Sequence, residues 1–344
     1  MRALIAMSGG VDSSVAALLT MKQGLSCIGA TMHLHEIGCA ADAAAVAQRL
    51  GIPFYEFDAT QEFQRQVMDD FVQSYERGDT PNPCVQCNRR LKFGYLLDKT
   101  LELGCDYIVT GHYARILRDE TSGRYLLKKA ADLPKDQSYF LYALNQHQLA
   151  HTLFPLGSLA KTETRQIAEE NGFINAKERD SQDICFVPDG DYVAFLEKHT
   201  QKSYPSGDFL DGNGCVIGRH KGAVAYTTGQ RKGLGLAMGE PVYVCSKDMK
   251  KNTVTVGPNN ALFRHSLRAN EWNWIAIDRL TAPLCCKAKA RSRMVEQDAT
   301  VYPEENGFAR VEFDEPQRAL TTGQAVVLYD GDTVIGGGTI TEIL

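Results

Sequence analysis

The stretch Ala3-Leu4-Ile5-Ala6-Met7-Ser8-Gly9-Gly10-Val11-Asp12-Ser13-Ser14 decides how this chain is read. Ala3 to Met7 is an apolar run of the length expected for a buried parallel strand. Val15, Leu18 and Leu19 then recur at helical spacing, so the strand runs through a glycine turn into a helix N-terminus. Gly9 and Gly10 can take φ > 0 and let the backbone approach a ligand closely. The free N–H groups of a first helical turn, at the positive end of the dipole, favour an anion. Ser8, Ser13 and Ser14 add hydroxyl donors, and Asp12 can hold a divalent cation such as Mg²⁺ beside phosphates. No Gly-Lys-Ser/Thr ending follows, so this is not the common P-loop.

Outward from the loop, strands alternate with helices. Cys27 to Met32 reads as a second strand, and residues 40–50 as an alanine-rich helix closed by Gly51. Ile52 to Phe57 gives a third strand, Phe63 to Tyr75 an amphipathic helix, Leu91 to Leu103 another, and Tyr107 to Thr110 a strand. This order predicts an α/β fold, a doubly wound parallel sheet with ligands at the C-terminal strand edges. Met32 and Gly111 fall at such edges; Met32 fits a core position and a nucleotide contact equally. Tyr125 to Lys129 is hairpin-like. Residues 159–171 form a helix with Ser158 as its N-cap candidate.

Two cysteine sites stand out. Thr80-Pro81-Asn82-Pro83-Cys84-Val85-Gln86-Cys87-Asn88 is a proline-stiffened loop that places Cys87 just before a helix beginning near Arg89. A helix N-terminus beside Arg89 and Arg90 is expected to lower a thiol pKa. Structural zinc needs four ligands, and no second Cys-x-x-Cys occurs. Cys185, in Asp180-Ser181-Gln182-Asp183-Ile184-Cys185-Phe186-Val187-Pro188, is either an inert apolar thiol or, with polar residues just ahead of it, part of a loop that meets Cys87. Asp136, in Pro134-Lys135-Asp136-Gln137-Ser138, reads first as a helix cap, and His112 as a satisfied histidine.

The 344 residues carry a formal net charge of −5, which argues against a globally basic nucleic-acid binder. Basic islands at residues 88–92, 128–129, 219–221, 231–232 and 287–293 fit either solvated faces or a phosphate-backbone footprint. No apolar run is long enough for a bilayer span and no secretory leader is evident, so no membrane partner and a cytoplasmic location are expected. Ten cysteines without secretory features predict chemistry rather than a disulfide framework. Past residue 203 the composition turns to short β segments, and Thr227 to Gly235 is a basic glycine loop facing phosphate or merely turning. After Arg264, alternating runs at 288–294, 299–302, 309–313 and 325–329 predict a small β-barrel or sandwich. The expected division is 1–200, 201–264 (a small β-rich central unit) and 265–344.

The loop SGGVDSS matches the SGGxDS loop of the PP-loop ATP pyrophosphatases, the adenine nucleotide alpha hydrolase-like proteins that cleave ATP between its α and β phosphates. Together with TPNPCVQCN, GHYAR, PKDQSYFL, SQDICF and YTTGQRKGLG, it makes the whole chain resemble the bacterial tRNA-specific 2-thiouridylases. The resemblance implies that ATP adenylates C2 of the wobble uridine of Lys, Glu and Gln tRNAs, and that sulfur replaces the oxygen. It implies an ATP site of Ala6, Met7, Ser8, Gly9, Gly10, Val11, Asp12, Ser13, Met32 and Gly111. It further implies a persulfide on Cys185, supplied by a cysteine desulfurase or sulfur relay, and Cys87 as the partner thiol that ends in a disulfide with it. Asn82, Pro83 and Cys84 would touch the target base, while Lys135, Asp136, Gln137, Arg291 and Ser292 would contact tRNA. Many relatives have Asp in place of Cys84, and an aromatic residue is frequent where Ser292 stands. A [4Fe–4S] cluster on Cys84, Cys87 and Cys185 is the alternative sulfur chemistry. A PP-loop amide-forming ligase is the alternative activity.

Overall fold

The computed structural model describes residues 1–34, 40–173, 184–187 and 189–344. The polar run 180–183 ahead of Cys185, on which the loop expectation rested, lies outside the described residues.

The N-terminal half supplies β1 (Arg2–Ala6), β2 (Ser26–His33), β3 (Phe54–Asp58), β4 (Tyr107–Val109), β5 (Ala114–Arg118), β6 (Tyr125–Lys129) and β7 (Thr152–Leu153). Five of them make one sheet in the order β3-β2-β1-β4-β7, every pair parallel. Alternation along β1 sends Ala3 and Ile5 to one face and Leu4 to the other. The first face packs on α1 (Val11–Lys22), the Ala40–Leu50 helix and the Lys161–Glu170 helix through Val15, Ala16, Val46 and Ala168. The second meets Phe93, Leu96 and Leu97 of a helical run over 83–102. Helices on both faces make the sheet doubly wound, as expected.

Three local expectations are corrected. The 83–102 run begins at Pro83 rather than near Arg89, because proline suits the first helical position and Asn82 before it is extended. Ser158 is not a cap: Ala160 holds the N-cap position, its N–H donating to Glu163 Oε2 at 2.6 Å. Two π-helical segments, Gln64–Met68 and Cys87–Tyr95, interrupt helices where an unbroken α period was read. Carbonyls of the second are satisfied from outside, for Gln148 Nε2 donates to Phe93 O at 2.6 Å and Arg89 O at 3.2 Å.

A central sheet of β8 (Gly207–Leu210), β9 (Val216–His220), β10 (Tyr243–Asp248) and β11 (Thr253–Gly257) runs in the order β10-β11-β8-β9. The C-terminal part contains β12 (Phe263–Trp274), β13 (Leu284–Lys289), β14 (Gln297–Pro303), β15 (Ala309–Arg318), β16 (Ala325–Asp330) and β17 (Thr333–Ile343). The order β12-β15-β14-β13-β16-β17, with β12 also pairing to β17, closes these into a six-stranded barrel. The β5–β6 hairpin joins that barrel's sheet at Thr333–Lys128. Arg291, read as part of a barrel strand, comes after β13 has ended at Lys289.

Candidate functional site

The loop after β1 is built as its sequence requires. Gly9 sits at φ 80° and Gly10 is the N-cap of α1. Ser8 N–H donates to Ser13 Oγ at 3.2 Å, and the hydroxyls of Ser13 and Ser14 donate to Gly10 O at 2.9 and 3.1 Å. Met7 and Val11 are buried, so what they present to a ligand is backbone. Gly111 closes the far side. A Cβ there would lie 2.8 Å from Asp12 C and 2.9 Å from Ser13 N, so this position admits no side chain without moving the loop. Met32, at the end of β2, is half-buried and packs on core clusters from both sides.

Asp12 is not an open carboxylate. Lys161 Nζ stands 2.7 Å from Oδ1 and 2.8 Å from Oδ2, and Tyr113 donates its hydroxyl to Oδ1 at 2.9 Å. The same hydroxyl is 3.0 Å from Thr164 Oγ1. Sequence reasoning missed Lys161, Tyr113 and Thr164. One signal was available: a lysine as the first residue of a helix opposes the macrodipole and calls for another reason to be there. Asp12, the residue expected at Mg²⁺, is thus held by Lys161 and Tyr113; a magnesium ion carried on phosphates would need only one such carboxylate from the protein.

The thiols gather on the other side of β2. Phe186 packs edge-on against Phe63 and Phe71, with ring centroids 5.6 and 5.2 Å apart, which pins Cys185 to the 60–77 helix. Cys87, Ile184 and Met32 all pack on this one cluster. Cys84 and Cys185 are exposed and Cys87 is half-buried. The expectation of a lowered thiol pKa is overturned. Cys87 lies a full turn inside the helix rather than at its N-terminus, and burial pushes it up to about 11. Neighbouring Cys185 and Cys84 raise it further, and the positive charge that opposes them is Lys92, not Arg89 or Arg90. Burial raises Cys84 and Cys185 as well. The three thiols are near enough to feel one another. His112 is buried between Phe93 and Phe154, with Nδ1 2.6 Å from Thr110 Oγ1; burial holds its pKa well below the usual histidine value, so it is neutral.

The residues expected at tRNA fall into two groups. Asn82 lines a cleft between the 60–77 helix and the barrel, with Asp70, Arg77, Tyr142 and Glu271. Lys135 and Ser292 are half-buried. Three more have hydrogen-bond partners within the protein. Asp136, expected as a helix cap, lies one residue ahead of the N-cap Gln137 of the short Ser138–Leu141 helix, and it accepts from Ala130 N–H (2.9 Å), Ser138 N–H (3.2 Å) and the Ser138 hydroxyl (2.7 Å). Gln137 Oε1 accepts from Tyr113 N–H at 2.9 Å. Arg291 donates to Ala319 O, to Thr321 Oγ1, and at 3.3 Å to Thr228 O of the basic glycine loop, tying that loop to the barrel.

Comparison with known proteins follows this geometry. Residues 1–189 match a family model described as a tRNA methyl transferase HUP domain, 193–258 one described as a tRNA methyl transferase PRC-barrel domain, and 264–340 an aminomethyltransferase beta-barrel domain. A tRNA-specific 2-thiouridylase MnmA of Symbiobacterium thermophilum is 50% identical over 357 residues, covering 98% of this chain and 92% of that protein. The protein of the same name from Acetivibrio thermocellus is 47% identical over 354 residues, covering 98% and 99%. That of Clostridioides difficile is 46% identical over 356 residues, covering 100% and 99%.

Proposed function

The chain belongs to the tRNA-specific 2-thiouridylase family, PP-loop enzymes that thiolate tRNA with ATP, and on that premise we propose how its own residues divide the work. The observation that carries the proposal is one shared cluster: Met32, at the edge of the nucleotide-binding sheet, packs against the same side chains as Cys87 and Ile184. Adenylation and sulfur transfer then occur on adjoining surfaces.

ATP lies along Ala6 to Ser13, with Met32 and Gly111 at the strand edges. The C2 oxygen of the wobble uridine (position 34 in Lys, Glu and Gln tRNAs) attacks Pα. The O–Pα bond forms as the bond to the β-phosphate breaks, pyrophosphate leaves with the electron pair, and the N3 proton passes to water. First-turn N–H groups of α1 and the serine hydroxyls stabilise the growing charge. Mg²⁺ would reach the site on ATP's phosphates, with Asp12 the one carboxylate of the loop able to join them.

For sulfur we favour the persulfide route. A cysteine desulfurase or relay protein leaves a sulfane sulfur on Cys185. That terminal sulfur attacks C2, and AMP departs with the C2–O electron pair. Cys87 thiolate then attacks Cys185 Sγ, forming a Cys87–Cys185 disulfide and releasing the 2-thiouridine sulfur with its electrons; an external dithiol restores both thiols. Asn82, Pro83 and Cys84 face the unstacked base. Lys135 and Ser292 meet the RNA, and Asp136, Gln137 and Arg291 hold that surface in shape. We retain the division 1–200, 201–264 and 265–344 for the three parts, and place the reaction in the cytoplasm with its tRNA.

The test joins two measurements. Bulk tRNA from cells lacking the gene should lose 2-thiouridine derivatives by mass spectrometry; unchanged levels would remove the tRNA assignment. Anaerobically purified protein should be free of iron, form 2-thiouridine with a persulfide donor, and yield a Cys87–Cys185 disulfide. Iron at about four per monomer, with an inactive iron-free form, would replace the persulfide route by the cluster.

A further inference from the structure

The strap that joins the 60–77 helix to the cysteines is stiff by sequence. In Thr80-Pro81-Asn82-Pro83 each proline ring fixes its own φ. Thr80 and Asn82 each precede a proline, which pushes both toward extended backbone. Asn82 is extended as this requires, at φ −113° and ψ 91°. Such a stretch has no soft joint. The place where Thr80 is held therefore sets how Asn82, Pro83 and Cys84 are presented, and Cys84 is exposed at the far end.

Thr80 is held by the barrel. Its N–H donates to Thr322 O at 2.9 Å, and its carbonyl accepts from Gln324 Nε2 at 2.7 Å. Both backbone groups of one strap residue thus meet the 322–324 turn, with the Gln324 amide standing where a strand would offer a backbone N–H. The turn is itself fixed. Gly323 N–H donates to Ile340 O and Gln324 O accepts from Ile340 N–H, each at 2.8 Å, while Arg291 holds the hydroxyl of neighbouring Thr321. The approach is also close: Gly323 has φ 82°, and a Cβ there would lie 2.8 Å from Asp79 Cβ and 3.0 Å from Thr80 N. Upstream, Gly78 at φ 94° ends the 60–77 helix and Asp79 N–H closes onto Ser74 O at 2.9 Å. The helix cap stops one residue short of the barrel's grip.

We propose that Gln324 is a positioning residue for the target base, its amide setting from the barrel the strap on which Asn82, Pro83 and Cys84 meet the uridine. This rests on the reading of those three residues as the base contact. Gln324 acts through Thr80 and not on the RNA itself. Phosphate contacts supply most of a nucleic acid's affinity, so a shifted strap leaves tRNA bound and spoils the placing of one base. The barrel, whose Ser292 meets the RNA, thereby also places the base contact.

The experiment compares the full chain with Gln324→Leu, Gln324→Glu and Thr322→Ala. Three quantities are read: tRNA affinity, the maximal rate of pyrophosphate release at saturating tRNA and ATP, and iodoacetamide alkylation of Cys84 in the free protein. Gln324→Leu should lower the maximal rate by about tenfold or more while tRNA affinity changes by less than about threefold. The same variant should change the alkylation rate of Cys84. Thr322→Ala keeps the backbone carbonyl that Thr80 uses, and should match wild type in all three. An unchanged maximal rate, an unchanged Cys84 rate, a loss confined to tRNA affinity, or equal losses in Thr322→Ala would each overturn the proposal. If Gln324→Leu does not fold, Gln324→Glu, which keeps the length and removes the donor, is read in the same way. Wild type that releases no pyrophosphate with tRNA overturns the function proposed above and this role with it. The Cys84 rate in the free protein then still shows whether Gln324 holds the strap.

Discussion

Burial raises Cys87 to about 11, and Lys92 opposes that rise. At neutral pH the thiol is therefore protonated and slow, and its reactivity should climb about tenfold per pH unit until that value. Site-resolved alkylation with iodoacetamide between pH 7 and 10 measures this, with exposed Cys84 reacting first. Lys92→Met should slow Cys87 further; an unchanged rate would remove Lys92 as the opposing charge. The same shift bears on stability. An unfolded cysteine loses its proton near its ordinary 9.0 while the folded one keeps it to about 11. Deprotonation therefore favours the unfolded chain in that window, and stability falls as pH rises from about 9 toward 11. Denaturant unfolding of Cys87→Ala should show a shallower fall. At Gly111 the constraint is distance: an added methyl would sit 2.8–2.9 Å from Asp12 and Ser13 atoms. Gly111→Ala should cost on the order of a hundredfold in tRNA-dependent pyrophosphate release, through misplacement of the loop. Wild-type rates would mean the loop yields without consequence.

Among the elements, the π-helical Cys87–Tyr95 segment depends on a residue far along the chain. Gln148 satisfies carbonyls of Arg89 and Phe93 that the wider helical turn leaves available. Gln148→Leu strands them, and should lower unfolding free energy by about 1–3 kcal/mol while changing the alkylation rate of Cys87. An unaltered rate would show that the segment does not depend on this amide. Such dependence marks where sequence reading stops. The β1 loop was legible because an apolar strand, two glycines and a helical period lie within nineteen residues. The barrel was legible from alternation in its strands. The π segment was not, since its periodicity is set by Gln148 rather than by its own side chains. Lys161 was not, because Asp12, its partner, is 149 positions away and its one sequence signal, a lysine at a helix start, names no partner. Cys87 was misread by one turn: a start at Pro83 instead of Arg89 moves it from the positive end of the helix into its buried body. Arg291 was placed on a barrel strand because alternation in a basic run does not show where the strand ends.

Across the whole molecule, the nucleotide-binding sheet and the barrel are one hydrophobic body. A single buried cluster includes Leu4, Ile28 and Ile108 of the sheet, Phe93 and Tyr139 between, and Val327, Tyr329 and Val334 of the barrel. Polar ties run alongside. Tyr139 donates its hydroxyl to Ala325 O at 3.0 Å, Arg124 donates to Ile275 O at 2.8 Å and Trp274 O at 3.1 Å, and Asn273 Nδ2 donates to Tyr142 O at 2.6 Å. The barrel's charges divide accordingly. Arg291→Ala should lower stability, by loss of its three acceptors, whereas exposed Arg293→Ala should leave stability alone and reduce the salt slope of tRNA binding by about one. The reverse pattern would move the RNA contact to Arg291. The shared core carries a stronger consequence. Removing residues 264–344 would bare Leu127, Tyr139 and Leu141, which are at most 1% exposed in the intact chain. A chain ending at 263 should then fail to fold as a monomer, although its parallel sheet is complete. In the intact protein, denaturant should unfold sheet and barrel in a single step. Coincident transitions from the barrel tryptophans Trp272 and Trp274 and from hydrogen exchange in β1 and β4 would establish this. A barrel transition well separated from that of β1, or a well-folded 1–263 fragment, would show that the two bodies share a surface and not a core.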